Sequence, residues 1–68
     1  MKKRSLTIDG HRTSISLEDE FWESLKHIVK LRECTLIDII REIDEKRSSG
    51  LSSAIRIFVL NYYKDRYE

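Results

Sequence analysis

Residues 12–40 read RTSISLEDEFWESLKHIVKLRECTLIDII, and a change of period inside this stretch decides the fold. From Arg12 to Leu17 polar and apolar residues alternate. A strand sends successive side chains to opposite faces, so Thr13, Ile15 and Leu17 share one side while Arg12, Ser14 and Ser16 share the other, which is entirely polar. Beyond Leu17 the apolar spacing lengthens to 3.6. Phe21, Trp22, Leu25, Ile28 and Val29 form one helical stripe, and Leu36, Ile39, Ile40 and Ile43 form a second. Arg32-Glu33-Cys34-Thr35 is the only room for a turn between them. The stretch predicts a strand over 12–17, a first helix over 18–33 and a second helix over 35–47.

Working outward toward the amino terminus, Ser5-Leu6-Thr7-Ile8 alternates in the same way. Asp9-Gly10 is a preferred pair for a two-residue type I′ hairpin loop, where both positions need a positive φ. Residues 1–11 are therefore a basic arm leading into a first strand. With that loop Ile8 faces His11, Leu6 faces Thr13 and Arg4 faces Ile15. Leu6, Ile8, Thr13 and Ile15 then lie on one face, and Lys3, Ser5, Thr7, Arg12, Ser14 and Ser16 on the other. Met1 to Arg4 has nothing to bury, so it reads either as a solubilising start or as a phosphate-contacting arm. A hairpin alone is barely stable in water, and this one needs cover.

The first helix is expected to begin near Glu18, because Ser16-Leu17-Glu18-Asp19 has the capping-box spacing of a hydroxyl followed three residues later by an acid. Ser16 has two open roles, this cap or a contact to a base. Glu18, Asp19 and Glu20 suit a helix start, but acids near a phosphate would repel it. Thr35-Leu36-Ile37-Asp38 is a second capping box, and a helix start of this kind offers backbone N–H groups to an anion. Ile37 lies off the main stripe, which suggests burial on two sides. Ser48-Ser49-Gly50 breaks the pattern, and a third helix is predicted over 51–67, capped by Ser52. Leu51, Ala54, Ile55, Phe58 and Tyr62 make its stripe, which Ile57, Val59, Leu60 and Tyr63 widen well past that of a surface helix. Trp22 and Phe21 recur at core spacing with Leu25 and Ile28, so they read as core and not as a stacking platform.

Composition limits the alternatives. A chain of 68 residues is one small domain, and a domain of about 60 residues buries only about 60% of its unfolded surface. Disulfides, metals or association usually make up such a shortage. A single cysteine excludes an internal disulfide, and His11, His27 and Cys34 lack the paired spacing of a zinc site, so no metal is expected and association is the remaining route. The net charge is +1, but residues 1–12 hold Lys2, Lys3, Arg4 and Arg12 against Asp9, a local +3 that leaves −2 for the rest. No run is long or apolar enough to cross a bilayer or to serve as a signal peptide. With one thiol, this predicts a cytoplasmic protein. The chain shows no repeat, low-complexity segment or long linker. It has no glycine-rich phosphate loop and no nucleophile paired with a base, so neither an enzyme nor a cofactor is expected.

The order short strand, helix, helix resembles the ribbon-helix-helix family of dimeric bacterial and phage DNA-binding proteins. The match covers Arg12 to about Lys46 and is closest from Thr13 to Leu17 and from Thr35 to Ile40. The fold class it implies is mainly α with a short β-ribbon, here with an N-terminal hairpin arm and an additional C-terminal helix, as an obligate homodimer. The resemblance implies that the ribbon strand pairs antiparallel with its copy in a second chain. Ile15, Leu17, Ile39, Ile40 and Ile43 would form the dimer core. It also implies nucleoid association and docking of the ribbon on double-stranded DNA, with Arg12, Ser14 and Ser16 reading bases. Lys3, Arg4 and the backbone of Thr35, Leu36 and Ile37 would contact phosphates. One geometric difficulty accompanies this picture: four strands about 4.8 Å apart span roughly 14 Å, whereas the major groove is about 12 Å wide. The alternative function is a dimeric interaction module or antitoxin-like adaptor that holds a second protein on its third helix.

Overall fold

The computed structural model describes residues 1–66 and has the order β1 (Lys2–Ile8), β2 (His11–Leu17), α1 (Asp19–Arg32), α2 (Leu36–Lys46) and α3 (Leu51–Arg66). Tyr67, placed by the sequence at the end of the third helix, lies outside the described residues. The two strands form an antiparallel hairpin whose turn is set by local backbone chemistry. Asp9 and Gly10 have φ values of 51° and 83°, the positive pair that a type I′ loop requires. The register follows from the turn and agrees with the sequence expectation: Ile8 pairs with His11, Leu6 with Thr13 and Arg4 with Ile15.

The inner face of the hairpin is roofed by all three helices. Ile8, Ile15 and Leu17 join Trp22, Leu25, Ile28, Ile39, Ile40, Ile43, Ile55 and Val59 in one buried cluster. Burial of large aliphatic and aromatic side chains at about 1.5–3 kcal/mol each is the main stabilising term. Residues from every element but the turns contribute to it. The third helix supplies Ile55 and Val59, so the cover that the hairpin lacks comes in part from within the chain. Polar clasps fix the layers in register. The Trp22 indole N–H donates to the Lys2 carbonyl at 2.9 Å and ties β1 to α1, while Arg41 of α2 reaches the hairpin turn through Asp9 at 3.0 Å.

Helix ends account for the remaining topology. Glu18, in extended conformation, is the N-cap of α1, and no side chain caps this end. Ser16 therefore does not cap, contrary to its spacing from Asp19. The strand runs on through Leu17, which keeps Ser16 in the ladder opposite Lys3. At the other end Glu33 turns left-handed at φ 52°. The N–H groups of Glu33 and Cys34 donate to the carbonyls of Lys30 and Val29, a Schellman-type termination. Thr35 closes the reciprocal box expected of it: its hydroxyl accepts from the Asp38 N–H at 3.1 Å, and the Asp38 carboxylate accepts from the Thr35 N–H at 3.2 Å. Ser52 lies inside the first turn of α3, and the Ala54 N–H reaches the Gly50 carbonyl at 2.9 Å. The entry to α3 is thus two residues earlier than a Ser52 cap would place it.

Candidate nucleic-acid interface

Alternation along two strands in one register collects six polar side chains on the outer face of the hairpin. Lys3, Ser5 and Thr7 come from β1 and Arg12, Ser14 and Ser16 from β2, paired as Lys3 with Ser16, Ser5 with Ser14 and Thr7 with Arg12. All are exposed except Ser16, which is half-buried. At the centre, the hydroxyls of Ser5 and Ser14 lie 3.5 Å apart. Among the described residues, neither Lys3 nor Arg12 forms an ion pair. Both cations are therefore available to an anion or to an acceptor on a base edge. Sequence alternation places Ser5 and Thr7 on this face without giving them a role; both are exposed like Ser14, whereas Ser16 is half-buried.

Arg4 is separated from Lys3 by the alternation. It is half-buried on the helix side, with its guanidinium carbon 5.2 Å from the centroid of the Trp22 ring, within reach of a cation–π contact. The start of α2 lies instead near the turn end of the hairpin. Arg41 spans Asp38, at 3.7 Å, and Asp9, at 3.0 Å. Thr35 is exposed there, with Leu36 and Ile37 half-buried. The capping box uses the N–H groups of Thr35 and Asp38. Those of Leu36 and Ile37 belong to the first helical turn, which has no intrahelical acceptor. The Thr35 N–H holds the Asp38 carboxyl below its ordinary pKa, with the Thr35 hydroxyl and Arg41 adding to the effect.

Glu18, the acid closest in sequence to β2, is tied back. Arg56 of α3 donates through Nε to its carboxylate at 2.9 Å and reaches the Ser16 carbonyl at 3.5 Å. The Arg56 hydrogen bond lowers the Glu18 pKa. The same guanidinium lies 5.9 Å from the centroid of the Phe21 ring. Nothing in the sequence singles out Arg56, and no local pattern could have found it, because its partner is 38 residues away.

The five residues assigned to a dimer core are enclosed within one chain: Ile15, Leu17 and Ile40 are 0% exposed, Ile39 1% and Ile43 6%. Their burial is complete without a second copy. His11 and His27 are exposed, and among the described residues no three metal-binding side chains converge. No helix among them is long and apolar enough to cross a membrane.

A hairpin ribbon laid over helices, with an outward polar face, defines the architectural class. The ribbon-helix-helix domain model matches residues 1–63, and the chain belongs to that family, whose members are typically DNA-binding regulators. No curated protein and no solved structure matches the chain.

Proposed function

We propose that this protein is a sequence-selective, homodimeric DNA-binding transcriptional regulator of the bacterial cytoplasm that inserts the outer face of its hairpin into the major groove. The observation that carries this reading is the face itself: two cations and four hydroxyls in an alternating register, with Glu18, the acid that directly follows β2, held by Arg56. The chemistry suits base reading, since Arg binds guanine N7 and O6 bidentately and serine hydroxyls pair with several base edges. Arg12, Ser14 and Ser16 are the readers. The N–H groups of Leu36 and Ile37 flank them as phosphate donors, beside Thr35 and near the turn end of the ribbon. Arg4, set against Trp22, is a packing residue in this account.

Selection of bound sequences from random duplex DNA tests the proposal, with sedimentation of the protein for the dimer, at twice 8.1 kDa. Arg12→Ala is expected to weaken binding to the selected site by about 1–3 kcal/mol and to relax one base position, as loss of a bidentate contact does. A second reading, a module that holds another protein on α3, draws support from Ile57 and Leu60, which are 53% and 61% exposed. It takes precedence if Arg12→Ala and Ser14→Ala both leave site preference untouched in a folded protein.

A further inference from the structure

The outward side of α3 has the spacing of a helix seam. Ser53, Ile57, Leu60 and Lys64 are all exposed, whereas Ile55 and Val59 on the inward side are buried in the core. The exposed four are separated by four, three and four residues, the 3.5-residue repeat by which two helices pack side by side. Two large apolar side chains stand at the centre of this stripe and polar ones at its ends. The core accounts for the inward side of α3 and leaves the stripe without a partner within the chain's packed cluster.

Beside the stripe, a groove of about 380 Å³ runs between α3 and the end of α2. Its α3 side is lined by Ala54, Ile57, Phe58 and Asn61, spaced i, i+3, i+4 and i+7. Four residues so placed form the hole that receives one knob from a facing helix. Ile43 of α2 adds an apolar wall. The connection that closes the groove is held in place, since Arg47 donates to the Asp44 carboxylate at 2.6 Å and to the Ser49 carbonyl at 2.8 Å. Knob and hole therefore lie on one helix, with Leu60 as the knob and the hole centred between Ile57 and Phe58.

We infer that α3 of a second copy of this chain occupies the groove, packed antiparallel so that each Leu60 seats in the hole of the other copy. A two-fold contact must make both insertions at once. Antiparallel helices that cross near residue 59 do so, because Leu60 of each then meets the Ile57 level of the other. Parallel helices about a two-fold set Leu60 level with Leu60 and Lys64 level with Lys64, which misses the hole and opposes like charges. Antiparallel packing sets Lys64 beside Ser53. It also brings Asp65 to the amino end of the other α3, where the first turn holds no acid and Lys46 and Arg47 line the groove. Opposed helix dipoles add to the preference. The contact centres on two large apolar side chains per copy, well short of a standard interface of about 1,600 Å², so it belongs to the weak class. It is separate from the ribbon, and a chain with two isologous contacts assembles beyond the dimer, a D2 tetramer being the common closed form. The inference goes beyond DNA binding and stands whether or not the ribbon reads bases.

Sedimentation equilibrium of the full chain without DNA, loaded from about 10 µM to about 1 mM, the range in which a contact of this size associates, tests this. The mass is expected to rise from twice to four times 8.1 kDa. Ile57→Lys and Leu60→Glu each change an exposed side chain, so circular dichroism should show the wild-type fold while the second association weakens by about tenfold or more, as loss of a central apolar contact does. The double variant is expected to associate more tightly than either single variant, because the ammonium at position 57 then faces the carboxylate at position 60 of the other copy. That gain should vanish in about 1 M salt, where exposed charges are screened over about 3 Å. A wild type that stays at twice 8.1 kDa throughout overturns the inference and leaves α3 to a different protein. A double variant no better than the single ones overturns the antiparallel seating, since parallel helices would stack like charges. If Ile57→Lys lowers the mass to that of one chain, α3 carries the homodimer itself and the second contact falls. None of these outcomes alters the DNA reading, which the selection of bound sequences tests separately.

Discussion

The outer face of the hairpin and the start of α2, whose helix is tied to the hairpin turn through Arg41 and Asp9, both offer donors, yet their chemistry differs in what already occupies them. On the hairpin, Lys3 and Arg12 have no ion partner among the described residues, and the hydroxyls share their face. At the start of α2 the donors are shared with a resident anion. The Asp38 carboxylate takes the Thr35 N–H and stands beside the first-turn amides of Leu36 and Ile37. A helix start attracts anions through its unpaired N–H groups and dipole, and here a carboxylate of the chain has used part of that attraction. The ribbon is open to a partner, whereas the helix start is open only against a charge of its own. In the proposed DNA complex, recognition therefore falls to the ribbon and, at most, positioning to α2.

The largest effect expected from substitution comes from the layer beneath the open face. Ile15 is 0% exposed and faces the helices directly behind the ribbon. Ile15→Lys places an unpaired ammonium there, and an isolated charge in a core is among the most destabilising of single changes. A domain of this length has only about 3–10 kcal/mol of stability. Far-UV circular dichroism should show no cooperative fold for this variant. A folded Ile15→Lys protein would mean that the inner face is not the foundation of the outer one.

What is legible in the sequence divides along the same line between local and distant causes. The hairpin register is legible because Asp9-Gly10 fixes the turn and two-residue periodicity does the rest; the Thr35 box is legible because both partners lie within four residues. The Ser16 cap fails where two local signals compete for one residue. Ser16-x-x-Asp19 has box spacing, but strand alternation also claims Ser16, and the strand prevails because Leu17 beyond it is wholly buried. Arg4 groups with Lys3 as part of a basic arm by composition, although the register that sets it opposite Ile15 already assigns it to the inner face. The inner position becomes habitable for a cation because Trp22 of α1 lies there. The clasp from Arg56 to Glu18 depends on how α3 crosses the end of β2, which no periodicity encodes. The breadth of apolar residues on the third helix reads as a need for cover; in the fold that helix also provides it.

A smaller effect sharpens the contrast from the side of α2. Thr35→Ala removes the hydroxyl that accepts the Asp38 N–H, and loss of such a cap costs about 0.5–2 kcal/mol. Urea denaturation should register that decrease. The variant should bind the selected DNA site within about twofold of the wild type, because the amides of Leu36 and Ile37 are unchanged and the reading face is on another element. A fall in affinity well beyond the change in stability, with a shallower salt dependence, would make the Thr35 hydroxyl itself a phosphate contact.

The smallest effect is also the most discriminating, because it separates the resident anion from the donors around it. The folded-state pKa of Asp38 is depressed by its hydrogen bonds from Thr35. A depressed carboxyl contributes stability that is fully present above its unfolded value, near 4, and that is lost as pH falls through the folded one. Asp38→Asn removes this titration, so the acid limb of its stability curve, below about pH 4, should be flatter than that of the wild type. On DNA the same substitution deletes a negative charge from the helix start. If a phosphate comes to rest about 7 Å from that position, the Coulomb repulsion relieved in a water-like dielectric amounts to a gain of about two- to threefold in affinity. The gain should shrink as salt is raised, since exposed charges are screened over about 10 Å at 0.1 M. Base preference should not change, because no base edge is involved. An Asp38→Asn protein with a flattened acid limb but unaltered affinity at every salt concentration would remove α2 from the DNA backbone altogether. The ribbon would then hold the duplex alone.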